Sequence, residues 1–336
     1  MNKNEIIYSL IVENIEKEVY CKNSALPSEQ KLCEVYKASR VTVRKALSNL
    51  ERDGYIRKQQ GKGSIVIRTH LTSKTVLLII PDVFRYIFSD LIKGIEYTLR
   101  SKNISLLIAN SYNDQNIERS IIRNHIDKVD AIIFEPAQVN STKYKYSKTY
   151  EKLLSKPTIC INSKIPNTYL HSLSLSDKEI MELVSNYVLS QNKKKILIFA
   201  KTDDLQGSAR LHGIENILSK SSSNYLVVEF NTENEAEKLE NLAFLYRNFK
   251  PDCIMFYNDE YAYKFLTNYN INPIVDDILI TGFDNTEYSN GQPYRFISPN
   301  HPKGKMGIDA ANMIIKMLDG EQVESKVYES DIDFNK

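Results

Sequence analysis

Between residues 75 and 318, short apolar runs alternate with stretches of helical periodicity. Thr75–Ile80, Ser105–Ala109, Ala131–Phe134, Thr158–Ile161, Lys195–Ala200, Tyr225–Phe230, Cys253–Tyr257 and Ile278–Thr281 read as strands. The spacing predicts helices over Phe88–Ser101, Glu118–Ile126, Glu179–Leu189, Arg210–Leu218, Glu235–Phe249, Asp259–Tyr269 and Lys305–Leu318. Strands that are apolar on both faces must be covered on both faces. With a helix between each pair of strands, the solution is a parallel α/β sheet. Roughly 260 residues is long for one such sheet, so the body is expected to form two lobes.

The first 67 residues follow a different pattern. Ile6, Ile7, Leu10, Ile11, Asn14 and Ile15 repeat at helical spacing and predict a helix over residues 3–19. Pro27-Ser28-Glu29 opens a second helix that runs through Leu32, Val35 and Tyr36. After the turn Lys37-Ala38-Ser39, Ser39 is suited to cap a third helix. Val43, Ala46, Leu47 and Leu50 form its buried stripe, and Arg40, Thr42, Arg44, Lys45 and Asn49 lie off it. Gly54 ends that helix, and two short strands follow, Tyr55–Gln59 and Ser64–Ile67, joined through Gly61-Lys62-Gly63. This is a helix, a helix-turn-helix and a two-stranded wing. Such a third helix fits the major groove, where Arg reads guanine and Thr or Val meets a thymine methyl. The pattern alone leaves open a generic helical subdomain with a solvated basic face.

Charge follows the same division. Residues 1–70 carry 13 Lys+Arg against 8 Asp+Glu, and residues 71–336 carry 31 against 34. A basic head on a mildly acidic body points to a polyanionic partner for the head, although ordinary surface variation gives the same count. At 42% hydrophobic and 26% charged, the chain is neither disordered nor fibrous. No apolar run approaches the roughly 18 residues that span a bilayer, and the N-terminus lacks the apolar core of a signal peptide. A cytoplasmic location without membrane attachment is expected. Cys21, Cys33, Cys160 and Cys253 lack zinc-site spacing and read as reduced thiols. Phosphate-loop, nucleophile-elbow and metalloprotease motifs are missing from the sequence, so no enzyme, cofactor or metal is expected.

Polar residues cluster where the predicted strands end. Asn110, Asn162, Asn258-Asp259 and Asp284 each follow an apolar run. Ligands of α/β sheets bind at the carboxyl ends of strands, and Asn, Asp and Arg suit the hydroxyls of a small sugar. Taken singly, each of these residues is also a good helix cap or turn former.

Two resemblances sharpen this picture. Leu26-Pro-Ser-Glu29, Ser39-Arg-Val-Thr-Val-Arg-Lys-Ala-Leu47, Gly54-Tyr-Ile56 and Gln60-Gly-Lys-Gly-Ser64 resemble the DNA-binding domain of GntR-type regulators. The resemblance implies a winged helix-turn-helix that binds operators as a dimer, with Arg40, Thr42, Arg44, Lys45, Gly61 and Lys62 facing DNA. Lys37 stands where that family often has glycine, so a left-handed lysine is expected there. Gln206-Gly-Ser-Ala-Arg-Leu-His-Gly213, Asn258-Asp259, Gly282-Phe-Asp284 and Pro302…Gly307…Ala310-Ala311 resemble the effector domain of LacI-type regulators, which has the two-lobed fold of periplasmic binding proteins. By motif position it implies ligand contacts at Phe88, Asn162, Arg210, Asn258 and Asp284. Asn162 stands where Asp is common. The combination is similar to the arabinose-utilisation repressors of Gram-positive bacteria, through strings such as Arg85–Glu96, Phe134-Glu-Pro136 and His301-Pro-Lys303. The expectation is a homodimeric repressor released from double-stranded operator DNA by L-arabinose. Its domains would be a winged helix-turn-helix at 1–67, a linker at 68–74, and a two-lobed effector-binding and dimerisation domain at 75–336. The alternative is a sugar-binding or transport-related protein without a regulatory role.

Overall fold

The computed structural model describes residues 2–67, 74–137, 148–165 and 168–334. The chain divides into two compact units, Met1–Ser73 and Lys74–Lys336. Most of the expected linker, residues 68–73, lies outside the described residues.

The first unit holds helices α1 (Lys3–Glu16), α2 (Glu29–Val35) and α3 (Arg40–Arg52) and the antiparallel strands β1 (Ile56–Gln59) and β2 (Gly63–Val66). Helix α1 stops three residues before the expected end, and Glu18 beyond it is left-handed (φ 58°). Its buried stripe is also narrower than the apolar pattern. Ile7, Ile11 and Ile15 are buried with Val43, Ala46, Leu47 and Leu50, whereas Ile6 and Leu10 are exposed. Each fully buried aliphatic side chain contributes about 1.5–3 kcal/mol, which fixes α1 across the back of α3. Lys37 is left-handed (φ 46°), as expected for the turn between α2 and α3. Gly61 and Gly63 take φ of 78° and 81° on either side of Lys62, a conformation that disfavours side chains.

The second unit has two parallel sheets. Its strands are β3 (Thr75–Ile80), β4 (Ser105–Asn110), β5 (Ala131–Phe134), β6 (Thr158–Ile161), β7 (His171–Leu175), β8 (Lys195–Lys201), β9 (Asn224–Phe230), β10 (Cys253–Phe256), β11 (Leu279–Thr281), β12 (Phe296–Ile297) and β13 (Lys326–Tyr328). The first lobe has strand order β13-β7-β6-β5-β3-β4 and the second β12-β11-β10-β8-β9. Helices α4 (Tyr86–Arg100), α5 (Gln115–His125) and α6 (Lys148–Glu151) follow strands of the first lobe. Helices α7 (Asp177–Ser190), α8 (Leu205–Leu218), α9 (Glu235–Phe249) and α10 (Asp259–Asn268) accompany the second. The chain leaves the first lobe after β7, returns after β12 to form α11 (Lys303–Leu318) and β13, and touches the second lobe again where Phe334 stacks on Tyr187 at 4.4 Å. Three chain segments therefore connect the two lobes.

Strands β7, β12 and β13 are missing from the sequence expectation. They are short or alternate with polar residues, so they lack the apolar run that marks the others. Helices α5 and α8 begin at Gln115 and Leu205, ahead of the expected starts at Glu118 and Arg210, because Asp114 and Asp204 cap them from outside the apolar periodicity.

Helices α4 and α11 pack unusually closely. A side chain at Gly94 would strike the carbonyl of Gly304, and one at Gly307 would strike the carbonyl of Leu91. At its far end α11 meets the start of the unit, where Lys74 Nζ donates to the Leu318 carbonyl at 3.4 Å.

Candidate functional sites

In the first unit the sequence places its chemistry on α3 and the wing. Ser39 Oγ accepts from the Thr42 backbone N–H at 3.3 Å and so caps α3. The same oxygen lies 2.8 Å from Thr42 Oγ1. Thr42 is therefore half-buried with its hydroxyl engaged in the cap, while Arg40, Arg44, Lys45, Gly61 and Lys62 are exposed. Val41, not singled out from the sequence, is 77% exposed in the first turn of α3 and presents a branched apolar side chain. Arg44 Nε donates to Glu29 Oε2 at 2.8 Å, which orients the guanidinium against the first turn of α2. Lys58 donates its backbone N–H to Glu51 Oε1 at 3.1 Å and pairs with the same carboxylate through Nζ at 3.2 Å. These bonds hold the Glu51 carboxyl below its usual range and tie the wing to α3. The result is an exposed cationic surface with one apolar contact, which matches the groove chemistry of duplex DNA.

In the second unit, the carboxyl ends of strands from both lobes border a cavity of about 170 Å³, room for a small polar molecule. From the first lobe come Asp82 and Arg85 after β3, Asn113 after β4 and Glu135 after β5. From the second come Lys201 and Asp204 after β8, Thr232 after β9 and Tyr257 after β10. Phe88, on α4, supplies an apolar wall.

Of the five expected ligand residues, Phe88 and Asn258 line this cavity. Asn258 also caps α10, accepting from the Tyr261 N–H at 3.1 Å. Asn162, Arg210 and Asp284 are not in its lining; they form a buried layer connected to it. Asn162 Nδ2 donates to Glu135 Oε2 at 2.7 Å, and its Oδ1 lies 3.0 Å from His301 Nε2. With the amide so oriented, His301 Nε2 carries the proton and Nδ1 is an acceptor. Arg210 Nε donates to Asp177 Oδ1 at 2.7 Å and its Nη1 to the Tyr257 carbonyl at 3.0 Å. Its guanidinium lies 3.5 Å from the centroid of the Phe283 ring. Asp284 Oδ2 accepts from Tyr86 Oη across the lobes at 2.8 Å. Asp284 Oδ1 and His301 Nδ1 are buried without a protein partner.

Burial dominates the electrostatics. It pushes Glu135 up to about 7, against the hydrogen bond from Asn162, and Asp259 up to about 6, against the bonds from Ser298 and Thr286. Burial pushes His301 down to about 4, so the imidazole is neutral at neutral pH. For Lys201, burial works against the charge, but Asp203 and Asp204 at 2.5 and 2.7 Å outweigh it and raise its pKa. Arg85 is likewise raised, its burial outweighed by Tyr261, Glu260 and their neighbours.

The sequence reading passed over Glu135, Lys201, Arg85, Asn113 and His301. Each of the first four directly follows a strand or lies within a few residues of its end, so the strand-end rule that picked Asn162 could have found them. His301 follows no apolar run; it sits in a crossing segment. Among the described residues, no group of three or more His, Cys, Asp or Glu side chains is arranged to hold a metal ion, and no helix is long and apolar enough to cross a membrane.

Comparison with known proteins adds to this geometry. The family described as bacterial regulatory proteins, gntR family, matches residues 3–66. The chain is 30% identical over 316 residues to the arabinose metabolism transcriptional repressor of Geobacillus stearothermophilus, covering 89% of this chain and 86% of that protein. It is 26% identical over 342 residues to the arabinose metabolism transcriptional repressor of Halalkalibacterium halodurans, covering 95% and 90%. The body is similar to the crystal structure of a periplasmic binding protein/LacI transcriptional regulator from Alkaliphilus metalliredigens complexed with D-xylulofuranose. That match has a TM-score of 0.66 and 20% identity and covers 78% of this chain and 97% of that one.

Proposed function

The chain belongs to the same family as the arabinose metabolism transcriptional repressors, sugar-responsive regulators with a GntR-type head and a LacI-type body, and from that premise we propose that it is a homodimeric repressor released from its operator by L-arabinose. Arg40, Arg44, Lys45 and the wing residues Gly61 and Lys62 contact DNA in this reading, and Thr42 acts chiefly by fixing the start of α3. Phe88, Asn162, Arg210, Asn258 and Asp284 bind the sugar, directly or through the buried layer behind the cavity.

The observation that carries the reading is the donor–acceptor balance of the cleft. Asp82, Glu135, Asp204, Glu235 and Glu260 face it against Arg85 and Lys201. Beside it, Asp284 Oδ1 and His301 Nδ1 are acceptors with no donor. A neutral polyol supplies hydroxyl protons to such acceptors, and its apolar face suits Phe88. A sugar phosphate would bring more negative charge to an acidic pocket and is disfavoured. Sugar binding favours the closed form of the body and thereby moves the two heads of the dimer out of register with the operator half-sites. A 100-fold loss of operator affinity needs about 2.7 kcal/mol of coupling between the sites.

The test is a gel-shift titration of the full chain on DNA that it selects from a random pool. L-Arabinose should release the DNA, and D-xylose and arabinose 5-phosphate should do so poorly. Release by the phosphate at lower concentration than by the free sugar would overturn the reading, and failure to bind DNA at all would restore the alternative of a sugar-binding protein without a regulatory role.

A further inference from the structure

We propose that Asn113 is a positioning residue for the effector, latching the two lobes together at the edge of the cleft opposite the chain crossings and so setting how tightly the body holds its ligand. The inference rests on the reading that the body binds a small sugar between its lobes.

Asn113 belongs to the first lobe, just beyond β4. Its Nδ2 donates to Thr232 Oγ1 at 2.7 Å and approaches Asp203 Oδ2 at 3.4 Å, both in the second lobe. Thr232 Oγ1 in turn donates to Asp203 Oδ2 at 2.7 Å, and the Thr232 N–H donates to the same oxygen at 3.0 Å. The other oxygen of Asp203 takes Lys201 Nζ at 2.5 Å. Lys201 faces the cavity. A continuous set of hydrogen bonds therefore runs from the first lobe, across the cleft, through the Asp203 carboxylate to a cation that lines the cavity.

Topology gives this contact its leverage. Strands β4 and β9 carry Asn113 and Thr232, and each is the last strand of its sheet. The crossings leave from β7, β12 and β13, at or next to the opposite edges. A hinge motion about the crossings displaces the β4 and β9 edges most. A bond of this length there is made only when the cleft is closed.

The backbone around Asn113 is built to present it. Tyr112 and Asn113 are consecutive left-handed residues (φ 52° and 55°), a strained arrangement for a bulky tyrosine. Bonds on both sides hold them so. The Ser111 and Tyr112 N–H groups donate to the carbonyls of Ile80 and Pro81, each at 2.8 Å, and Asp114 caps α5 through the N–H groups of Asn116 and Ile117. Strain of this kind persists where surrounding structure fixes it, and here it aims an amide across a cleft.

The consequence follows from population arithmetic. If sugar binds the closed form, its apparent affinity scales with the fraction of molecules that are closed. Losing one cross-cleft hydrogen bond should weaken sugar binding by roughly two- to tenfold. The experiment is calorimetric titration of the full-length protein with L-arabinose. Asn113→Ala and Thr232→Val should each weaken binding several-fold, and the double variant no more than the weaker single. Thr232→Ser, which keeps the hydroxyl, should bind nearly as the parent does. Asn113→Asp, which tolerates the left-handed backbone but sets a carboxylate beside Asp203, should lose at least as much as Asn113→Ala. Unchanged affinity in Asn113→Ala, full additivity in the double variant, or no rescue by Thr232→Ser would overturn the proposal. If the parent protein binds no pentose, the effector reading fails, and hydrogen exchange then decides the latch separately. Exchange in the cavity-facing segments 82–88 and 257–261 should quicken in Asn113→Ala, and exchange at the parent rate would overturn it.

Discussion

The head and the body solve recognition in opposite ways. The residues assigned to DNA lie exposed on α3 and a wing, and all fall between Arg40 and Lys62. Those assigned to the sugar are buried, the polar ones already bonded to other residues of the body, and they span Phe88 to Asp284. A surface that meets a polyanion needs charge at fixed spacing, which one helix and one hairpin supply. A cleft that must desolvate a neutral sugar needs polar groups already satisfied except where the ligand completes them. The difference teaches that substitution in the head should cost binding, whereas substitution in the body should cost binding and stability together.

The sharpest way to break this contrast is Arg210→Ala. It leaves Asp177 buried without its partner, and the body should lose about 3–5 kcal/mol of stability. Calorimetry of the full chain should show the head's transition unmoved. A common shift of both transitions would show that the units do not stand apart. Asp284→Asn is next. It removes the charge from a cross-lobe acceptor and should weaken arabinose binding by roughly 1.5–3 kcal/mol while operator binding without sugar persists. Normal release by sugar would remove Asp284 from the site. Arg44→Ala should cost about 1–3 kcal/mol at the operator and leave sugar calorimetry unchanged, since its side chain is exposed apart from Glu29. A matching loss for sugar would contradict the division of labour.

Acidity separates the two regions by sign. Glu118 and Glu135 are pushed up to about 7, and Asp259 to about 6, chiefly by burial. Between the unfolded value near 4 and these native values, the folded body binds more protons than the unfolded chain. Its stability should therefore fall as pH rises from about 5 to 7 and level off above. Burial also pushes Asp177 up to about 6, and His301, held near 4 by burial, opposes the trend with one group against four. In the head, Arg52 beside Asp53 lowers its carboxyl, so that contribution is present at neutral pH and is lost in acid. Melting followed from pH 5 to 8 should show the body's transition descending and the head's not. A flat body transition, or a slope that survives Glu118→Gln undiminished, would assign the effect elsewhere. The smallest expected effect is Lys62→Ala. An exposed lysine that releases one counterion should lower the slope of log affinity against log salt by about 0.9. An unchanged slope would take the wing tip off the phosphates.

The same contrast explains what was legible in the sequence. In the head, caps, turn and stripe are local, so Ser39, Lys37, Gly54 and the buried face of α3 could be placed without tertiary information. Even there, periodicity overreached at Ile6 and Leu10, because helical spacing marks a wide apolar face but cannot say how much of it a small unit covers. In the body, the apolar strands announced the parallel sheets, and strand-end logic found Asn258. It could not show that Asn162, Arg210 and Asp284 stand behind the cavity, bonded to Glu135, Asp177 and Tyr86. Those partners lie 27, 33 and 198 positions away in the chain. The strand-end rule could have marked Asn113 but not its role, because its partner Thr232 is 119 positions distant.

The close contact of α4 with α11 has a mechanical meaning. The first turns of both helices stand at the cleft, where Tyr86 and Lys303 both hold Asp284, through its carboxylate and its carbonyl. Sixteen residues later, about 24 Å along its axis, α11 ends against Lys74. With glycines letting the two backbones interlock, sliding or bending one helix must disturb the other. The pair therefore works as a pushrod, coupling a displacement at the cleft to the residue where the body begins.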